Sequence, residues 1–577
     1  MRIRFFALVF LGCLAACSNE VLLPPEPAVD TSTERTITQG TLIGFTHHAH
    51  PAHVWRSIPF AKPPIDDLRW RAPRPAENWQ GIRQALSHAP WCTQIRRRID
   101  DESSADAIPL GEIMGQEDCL YLNVYAPKMD EKEAETTRLP VMMWIHGGSN
   151  VWGRAEQYDP SALVAKENVI VVVIQYRLGP LGWFSHETLE RSAEIPDDRS
   201  SNFAILDQIA ALDWIKTNIA RFGGDPGNIT VFGESAGGHN TAALLASPRA
   251  KGKFQKVIIQ SGIFTSVTTQ EARQTHPRSA NKIAEKLIDG AATAENLRSA
   301  TAEALFDAYG PKGLVTEWSP PRIIEDGIAV PVGGLMNALS TTETFNAVPV
   351  ITGVNKDEAK LFNVLDPELV GIWLWRIPYA YDQDFYDALS EYESRMWRVS
   401  AVDKPANTLL AAGHEQVYAY RFDWDESGTV WGADFSKLFG AAHALEIPFV
   451  MGQFRFLGKA DKWVFTEENE KERLELSAGM MAYWAEFARS GSPGNGGQAN
   501  LPDWTSWSTQ PDQQNIMVFD SKSSGGARMI KDHESAKRVA DALFSDPRIS
   551  SQEETCKVYK DALFWDAELA EYNDRNC

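Results

Sequence analysis

The chain has 577 residues, of which 44% are hydrophobic, and such a composition supports a large buried core. Its length fits one large α/β domain or two to three smaller ones. The formal net charge of −21 argues against nucleic acid as a partner, because nucleic-acid binding requires lysine and arginine side chains that neutralise phosphates. An acidic surface is otherwise consistent with solubility alone.

The N-terminal segment is typical of an export signal. Arg2 and Arg4 precede an apolar run, residues 5–14, which is too short to span a bilayer as a helix. The run leads into Leu-Ala-Ala-Cys, which resembles a bacterial lipobox with Cys17 as the lipidated residue. The alternative is an ordinary secretory signal that is cleaved nearby.

We therefore expect residues 1–16 to be a signal peptide and lipidated Cys17 to attach the protein to a membrane. Residues 17–34 are polar and rich in proline, which suits an extended tether. In the lipoprotein resemblance, Ser18 after the cysteine implies the outer membrane. The alternative is a soluble protein that is secreted or periplasmic.

Short β-branched runs alternate with longer helical patterns from residue 139 onward. Several of these runs are apolar throughout, which indicates strands buried on both faces of a mostly parallel sheet. A helical pattern within residues 202–228 supplies a crossover between two of the strands. Residues 36–90 predict short hairpins at an antiparallel edge, and residues 35–577 are expected to form one domain. The predicted strands are 140–148, 168–179, 228–235, 256–262, 348–355 and 417–424.

A G-x-S-x-G motif, residues 233–237, lies between a predicted strand and a predicted helix. This context is typical of a nucleophile elbow, in which glycines allow a sharp turn and expose the hydroxyl of the central serine. The N-terminus of the following helix also stabilises a developing negative charge. Ser235 is therefore predicted to be a reaction nucleophile.

A serine nucleophile requires a base and an acid that orients the base. Asp357 and Glu358 follow a predicted strand and suit the acid equally well, and His443 lies in a loop of small residues that would admit an imidazole. The glycine-rich segment 142–153 is suited to supply backbone N–H groups to an oxyanion. The other histidines after Ser235 lack a comparable setting.

Four of the six cysteines, Cys92, Cys119, Cys556 and Cys577, remain after the signal segment. An even number in an oxidising compartment predicts disulfides, and four cysteines allow three pairings. The local pairing, Cys92 with Cys119 and Cys556 with Cys577, closes two short loops. No C-x-x-C motif is present, so a zinc or redox site has no support, and we expect neither a metal nor a cofactor.

Several stretches together resemble the type-B carboxylesterase family, the cholinesterase-like branch of the α/β-hydrolases. The resemblance extends from about residue 36 to residue 566. It implies a large, mostly parallel central sheet flanked by helices, with a small antiparallel sheet at the N-terminal edge. The matching stretches are residues 58–73, 117–127, 144–153, 222–238, 355–358 and 440–450.

By this resemblance the protein is a serine esterase that hydrolyses small-molecule carboxylic esters through an acyl-enzyme. Alternatives that keep the same residues are a lipase, an amidase or a carbamate hydrolase, and a non-catalytic adhesion protein is an alternative of another class. The resemblance implies these roles: Ser235 as nucleophile, Glu358 as acid, His443 as base, backbone donors at Gly148, Ser149 and Ala236, Glu234 as a buried acidic neighbour, and a disulfide between Cys92 and Cys119.

The chain departs from the family pattern beside the predicted oxyanion site. Ser149 and Asn150 stand where the family has a third glycine and an aromatic residue. Ser149 donates only if its φ and ψ angles suit a residue with a Cβ, and Asn150 is expected to make the pocket more polar. The basic run at residues 96–98 is interpreted as a solvated charge run, with a site for an acidic substrate as the alternative. The histidine-rich stretch 46–53 is interpreted as a polar turn.

Overall fold

The computed structural model describes residues 27–96, 108–109, 111–310, 321–373, 377–430, 433–563, 569 and 577. The strands are Arg35–Ile37 (β1), Gly40–Ile43 (β2), Phe45–Thr46 (β3), Ala52–Pro59 (β4), Ile82–Gln84 (β5), Gln94–Ile95 (β6), Ile113–Met114 (β7), Tyr121–Pro127 (β8), Leu139–Ile145 (β9), Ile170–Ile174 (β10), Gly224–Glu234 (β11), Lys256–Gln260 (β12), Val267–Thr268 (β13), Ile324–Glu325 (β14), Val350–Asn355 (β15), Val370–Trp373 (β16), Ile377–Ala380 (β17), Val417–Phe422 (β18), Thr429–Val430 (β19), Ala433–Asp434 (β20), Ile516–Phe519 (β21) and Arg528–Ile530 (β22).

Helices connect many of the strands. They are Glu131–Thr136 (α1), Ser161–Glu167 (α2), Gly179–Gly182 (α3), Glu187–Arg191 (α4), Phe203–Asn218 (α5), Ala236–Ala246 (α6), Ala280–Leu287 (α7), Ala294–Ser299 (α8), Ala302–Ala308 (α9), Leu335–Ala338 (α10), Lys360–Asn363 (α11), Gln383–Arg398 (α12), Lys404–Ala411 (α13), Phe435–Phe439 (α14), Glu446–Met451 (α15), Asp461–Val464 (α16), Glu470–Ser490 (α17), Ala536–Leu543 (α18) and Gln552–Val558 (α19).

One large sheet forms the centre of the molecule. In the described part of the chain it has eleven strands in the order β22-β21-β18-β15-β12-β11-β9-β10-β8-β4-β3. The strands from β10 to β21 run parallel to their neighbours, whereas β8, β4 and β3 at one side and β22 at the other are antiparallel. All six predicted strands are present, as β9, β10, β11, β12, β15 and β18, and the predicted crossover helix is α5.

Both faces of the sheet are buried, as the uninterrupted apolar strands predicted. Along β9, Val141, Met143 and Ile145 pack on the face covered by α5 and α6. The alternate residues Met142 and Trp144 pack on the opposite face, which α15 and α17 cover. Because successive side chains of a strand point to opposite faces, a strand between two helical layers is apolar at every position.

The N-terminal edge differs in detail from the predicted antiparallel sheet. β3, β4 and β8 form an antiparallel edge of the large sheet itself. A separate three-stranded sheet contains β1, β2 and β5, in which β2 pairs antiparallel with β1 but parallel with β5. A tight turn joins β1 to β2, whereas the chain makes a long excursion before β5 and then runs alongside β2 in the same direction.

Two disulfides close local loops in this fold. Cys92 is bonded to Cys119, and Cys556 is bonded to Cys577. No helix within the described residues is long and apolar enough to cross a membrane. The extent of the domain, residues 35–577, stays a prediction, and Cys17 lies outside the described residues.

Candidate active site

Ser235 lies on a sharp turn between β11 and α6. Its φ of 55° and ψ of −121° are unusual for a residue with a Cβ. The turn is fixed from both sides, because Ser235 N donates to Gln260 O at 2.9 Å and His239 N donates to Ser235 O at 2.8 Å. A Cβ on Gly237 would lie 1.9 Å from Ile145 O, so this position admits no larger residue. The predicted elbow is therefore present, with the half-buried serine at its apex.

His443 and Glu358 meet at the carboxyl ends of the parallel strands. His443 Nδ1 lies 2.5 Å from Glu358 Oε2, and the carboxylate is wholly buried. Ser261 Oγ and Asn355 N donate to the other carboxylate oxygen, at 2.6 and 2.8 Å. With all of these donors directed at it, Glu358 is fixed as an acceptor, which places the ring proton on Nδ1.

Asp357, the other candidate acid, points to the backbone instead. Its Oδ2 accepts a hydrogen bond from Ala441 N at 3.0 Å, and its Oδ1 lies 3.7 Å from Lys360 Nζ. The two neighbouring carboxylates therefore have separate tasks. Asp357 holds the loop that carries His443, and Glu358 contacts the imidazole itself.

A third carboxylate, Glu234, lies on the other side of the imidazole. Its Oε1 is 3.1 Å from His443 Nε2, without hydrogen-bond geometry, and neither atom has another partner among the described residues. Burial by itself lowers the pKa of His443, but the carboxylates of Glu234 and Glu358 raise it above its ordinary value. Burial raises the pKa of Glu234 well above its ordinary value as well. The site is thus arranged to stabilise a proton beside Nε2.

A buried polar network behind this site was not predicted from the sequence. Gln260 Nε2 and Asn355 Nδ2 donate to the two oxygens of Glu446 at 3.0 and 2.8 Å, and Trp484 Nε1 donates to Gln260 Oε1 at 3.0 Å. Asn355 Nδ2 also donates to Ala442 O at 2.6 Å, which ties the histidine loop to β15. A glutamate inside the apolar run that follows His443 was the signal that could have revealed it.

The loop 147–150, which we name the oxyanion loop after its predicted role, packs against the elbow. A Cβ on Gly147 would lie 3.1 Å from Ser235 Cβ. Gly148, Ser149 and Asn150 have φ values of 100°, 53° and 59°. Within the described structure, the backbone N–H groups of Gly148, Ser149 and Ala236 donate to no other backbone group, so they are available to a ligand. Ser149 does adopt the left-handed conformation that the family's glycine would allow.

The expectation that Asn150 makes the pocket more polar is wrong. Its side chain is only 1% exposed. The amides of Asn150 and Asn240 exchange hydrogen bonds of 3.2 and 2.8 Å, and Tyr176 OH lies 3.3 Å from Asn150 Oδ1. An amide with buried partners on both sides presents no free polar group to a substrate, and it serves instead to hold the loop to α6.

Two further polar segments were singled out in the sequence. Residues 97 and 98 of the basic run fall outside the described residues, and Arg96 donates to Ile108 O. In the histidine-rich turn, His47 Nε2 lies 3.1 Å from Asp159 Oδ2. No group of three or more histidine, cysteine, aspartate or glutamate side chains that could hold a metal ion occurs in the described ranges.

A model of the carboxylesterase family matches residues 27–391 and 377–539. The chain belongs to the carboxylesterase family. Over 491 residues it is 34% identical to para-nitrobenzyl esterase of Bacillus subtilis (strain 168), covering 79% of this chain and 90% of that protein. It is likewise 34% identical over 535 residues to human cocaine esterase, covering 85% and 89%.

Solved structures give the same result. A PNB esterase superposes with a TM-score of 0.67 at 30% identity, covering 88% of this chain and 99% of that one. A carboxylesterase of Geobacillus stearothermophilus superposes with a TM-score of 0.66 at 28% identity, with the same coverage. This carboxylesterase-family chain therefore has the predicted α/β-hydrolase fold, and it is a carboxylic ester hydrolase.

Proposed function

We propose that the protein hydrolyses small-molecule carboxylic esters through an acyl-enzyme, with Ser235 as nucleophile, His443 as general base and Glu358 as the acid of the triad. The contact of 2.5 Å between His443 Nδ1 and Glu358 Oε2 carries this proposal. With the proton held on Nδ1, the lone pair of Nε2 is free to accept a proton, and Nε2 has no hydrogen-bond partner among the described residues.

In the first half of the reaction, Nε2 of His443 takes the proton of Ser235, whose oxygen attacks the ester carbonyl. The N–H groups of Gly148, Ser149 and Ala236 donate to the oxyanion of the tetrahedral intermediate. The C–O bond to the alcohol then breaks, and His443 returns its proton to the departing oxygen. In the second half, water replaces the serine hydroxyl, and the same groups release the carboxylic acid.

In its ionised form, Glu234 contributes to this reaction by its charge. The imidazole becomes a cation when it takes the proton of Ser235, and a carboxylate at 3.1 Å from Nε2 favours that form. Glu358 favours it from the Nδ1 side. The two carboxylates thereby lower the free energy of the charged intermediate, and each step uses only protein groups and water.

The test is labelling by an active-site fluorophosphonate, combined with turnover of p-nitrophenyl acetate. We expect the wild-type protein to be labelled and Ser235→Ala to lose both labelling and turnover, by about 10³-fold or more for loss of a triad nucleophile. Ser477→Ala is the matched control, because it removes another buried hydroxyl, bonded to Phe449 O at 2.8 Å, far from the elbow in the chain. Retained labelling of Ser235→Ala would refute the assignment.

We also propose that the mature protein is a lipoprotein anchored through Cys17 to the bacterial outer membrane. The support is the sequence of residues 1–18, with two arginines, an apolar run and Leu-Ala-Ala-Cys before Ser18. In a bacterial host we expect the wild type to incorporate labelled palmitate and to sediment with membranes, and Cys17→Ala to do neither. Equal sedimentation of both proteins would contradict the anchor.

A further inference from the structure

Arg322 brings a positive charge to the oxyanion loop. Its Nη1 donates a hydrogen bond to the carbonyl oxygen of Ser149. It is also close enough to Tyr176 and His239 to influence the pKa of each. His239 lies one helical turn after the nucleophile, with its half-buried side chain on the helix that begins at the elbow. The guanidinium therefore lies beside the oxyanion loop, which itself packs against the elbow of Ser235.

This cation has no counter-charge among the described residues. No described carboxylate pairs with Arg322, whereas the buried Arg177 is paired with Asp207 at 2.7 Å. The titratable side chains facing Arg322 are neutral at neutral pH, since burial lowers the pKa of His239 to about 4 and raises that of Tyr176 well above its ordinary value. A half-buried guanidinium with a single carbonyl partner among the described residues has further donors with which it can bind a ligand.

The backbone directly after Arg322 is held in place. Ile323 has a φ of 51°, which is rare for a β-branched residue and which costs about 1–2 kcal/mol. The side-chain amide of Asn202 brackets the next residue, accepting from Ile324 N at 2.8 Å and donating to Ile324 O at 2.7 Å. A charge fixed in this way is ready to bind a ligand without further ordering.

We propose that Arg322 binds a carboxylate of the substrate, so that the enzyme prefers esters with a second, anionic group near the scissile bond, such as half-esters of short dicarboxylic acids. The inference rests on the proposed function of Ser235. A guanidinium has five donors, of which Ser149 O occupies one, and the remaining fork matches a carboxylate in a bidentate arrangement. Such a substrate supplies a counter-charge that the described residues do not provide.

The carboxylate could belong to the acyl part or to the alcohol part, and matched ester pairs separate the two. In the acyl pair, p-nitrophenyl hydrogen glutarate is compared with its neutral methyl ester. In the alcohol pair, p-acetoxybenzoate is compared with methyl p-acetoxybenzoate. The quantity measured is the ratio of kcat/KM for the anionic ester to that for its neutral partner, because a general loss of activity leaves this ratio unchanged.

We expect the wild-type ratio to exceed one in at least one pair and to fall about tenfold or more in Arg322→Met, as for loss of a charge-assisted bidentate contact. Arg322→Lys should restore part of the ratio, because it keeps the charge and loses the fork. Arg138→Met is the control for overall charge, since Arg138 is an exposed arginine that, within the described structure, donates to the carbonyls of Glu135 and Thr137 alone. That control should leave the ratio unchanged.

The outcomes distinguish this inference from the proposed function. If Arg322→Met slows anionic and neutral esters equally, Arg322 only holds the Ser149 carbonyl and the inference is overturned. A wild-type ratio at or below one in both pairs overturns it as well. If instead the wild type hydrolyses none of the four esters and Ser235 is not labelled by the fluorophosphonate, the proposed function itself fails.

Discussion

The nucleophile elbow and the oxyanion loop pack against each other, yet they hold their backbone conformations by opposite means. In the elbow, backbone atoms lie so close to the glycines that no side chain would fit, since a Cβ on Gly237 would lie 1.9 Å from Ile145 O. In the oxyanion loop, Ser149 and Asn150 carry side chains in the left-handed region. There the conformation is imposed from outside, by Arg322 on the carbonyl of Ser149 and by Asn240 on the amide of Asn150.

The two regions therefore respond differently to change. A turn that depends on missing atoms fails when an atom is added, and no neighbouring residue can compensate because the obstacle is backbone. A loop held by side-chain hydrogen bonds fails when a partner is removed, even a partner on another element. Three substitutions test this contrast, and the first has the largest expected effect.

Gly237→Ala adds one methyl group to the elbow. Because the added Cβ would overlap backbone, we expect a loss of about 3 kcal/mol or more in the free energy of unfolding, together with loss of esterase activity, as for severe overpacking in a buried turn. Urea denaturation measures the free energy of unfolding. Gly479→Ala, in α17, is the control, since a Cβ there would meet only Leu501 side-chain atoms at 3.5 Å or beyond. A stability equal to that of the wild type for Gly237→Ala would contradict the view that the elbow depends on the absence of a side chain.

Asn240→Ala removes the partner of Asn150 without touching the oxyanion loop. We expect the free energy of unfolding to fall by about 1–3 kcal/mol, because the buried amide of Asn150 loses its partner. The value of kcat should fall more than KM rises, because the N–H groups of the loop lose their orientation. The neighbouring Thr241, whose Oγ1 donates to Gly237 O at 2.8 Å, provides the control Thr241→Ala. Equal loss of kcat in both variants would show that the amide pair has no special link to the reaction.

Ser149→Gly has the smallest expected effect. A glycine tolerates a φ of 53° without strain, so we expect the free energy of unfolding to rise by about 1 kcal/mol, and kcat to stay within about twofold because Arg322 and Asn240 still hold the loop. Asn168→Gly is the control, at another left-handed position with a φ of 51° at the end of α2. It measures the gain in free energy of unfolding from relieved backbone strain away from the site. A large fall in kcat for Ser149→Gly alone would mean that the serine side chain itself contributes to the reaction.

The same contrast explains what could be predicted from the sequence. Apolar strands, the crossover helix and the elbow are local features. Glycine spacing and burial on both faces make them recognisable in short stretches of sequence. Asp357 and Glu358 could not be separated from the residues alone, because both follow β15 and only the resemblance favoured Glu358. The structure separates them by their partners, Ala441 N for Asp357 and the ring of His443 for Glu358.

The hydrogen-bond partners of the oxyanion loop could not be recognised in the sequence. Asn240 lies 90 residues from Asn150 along the chain, and Arg322 lies 173 residues from Ser149. Asn150 alone therefore appeared to be a polar wall, whereas its amide is used internally. Long-range pairs of side chains depend on how elements cross in space, which the alternation of strands and helices does not specify.

The two ends of the large sheet limit how it can pair with a neighbouring molecule. Its outermost strands are very short, with two residues in β3 and three in β22. Few unpaired backbone groups are thus offered to the sheet of a neighbouring molecule, and a charged residue, Arg528, begins the edge strand β22. Copies of this enzyme therefore have few free backbone groups with which to pair edge to edge. This disfavours aggregation through the central sheet.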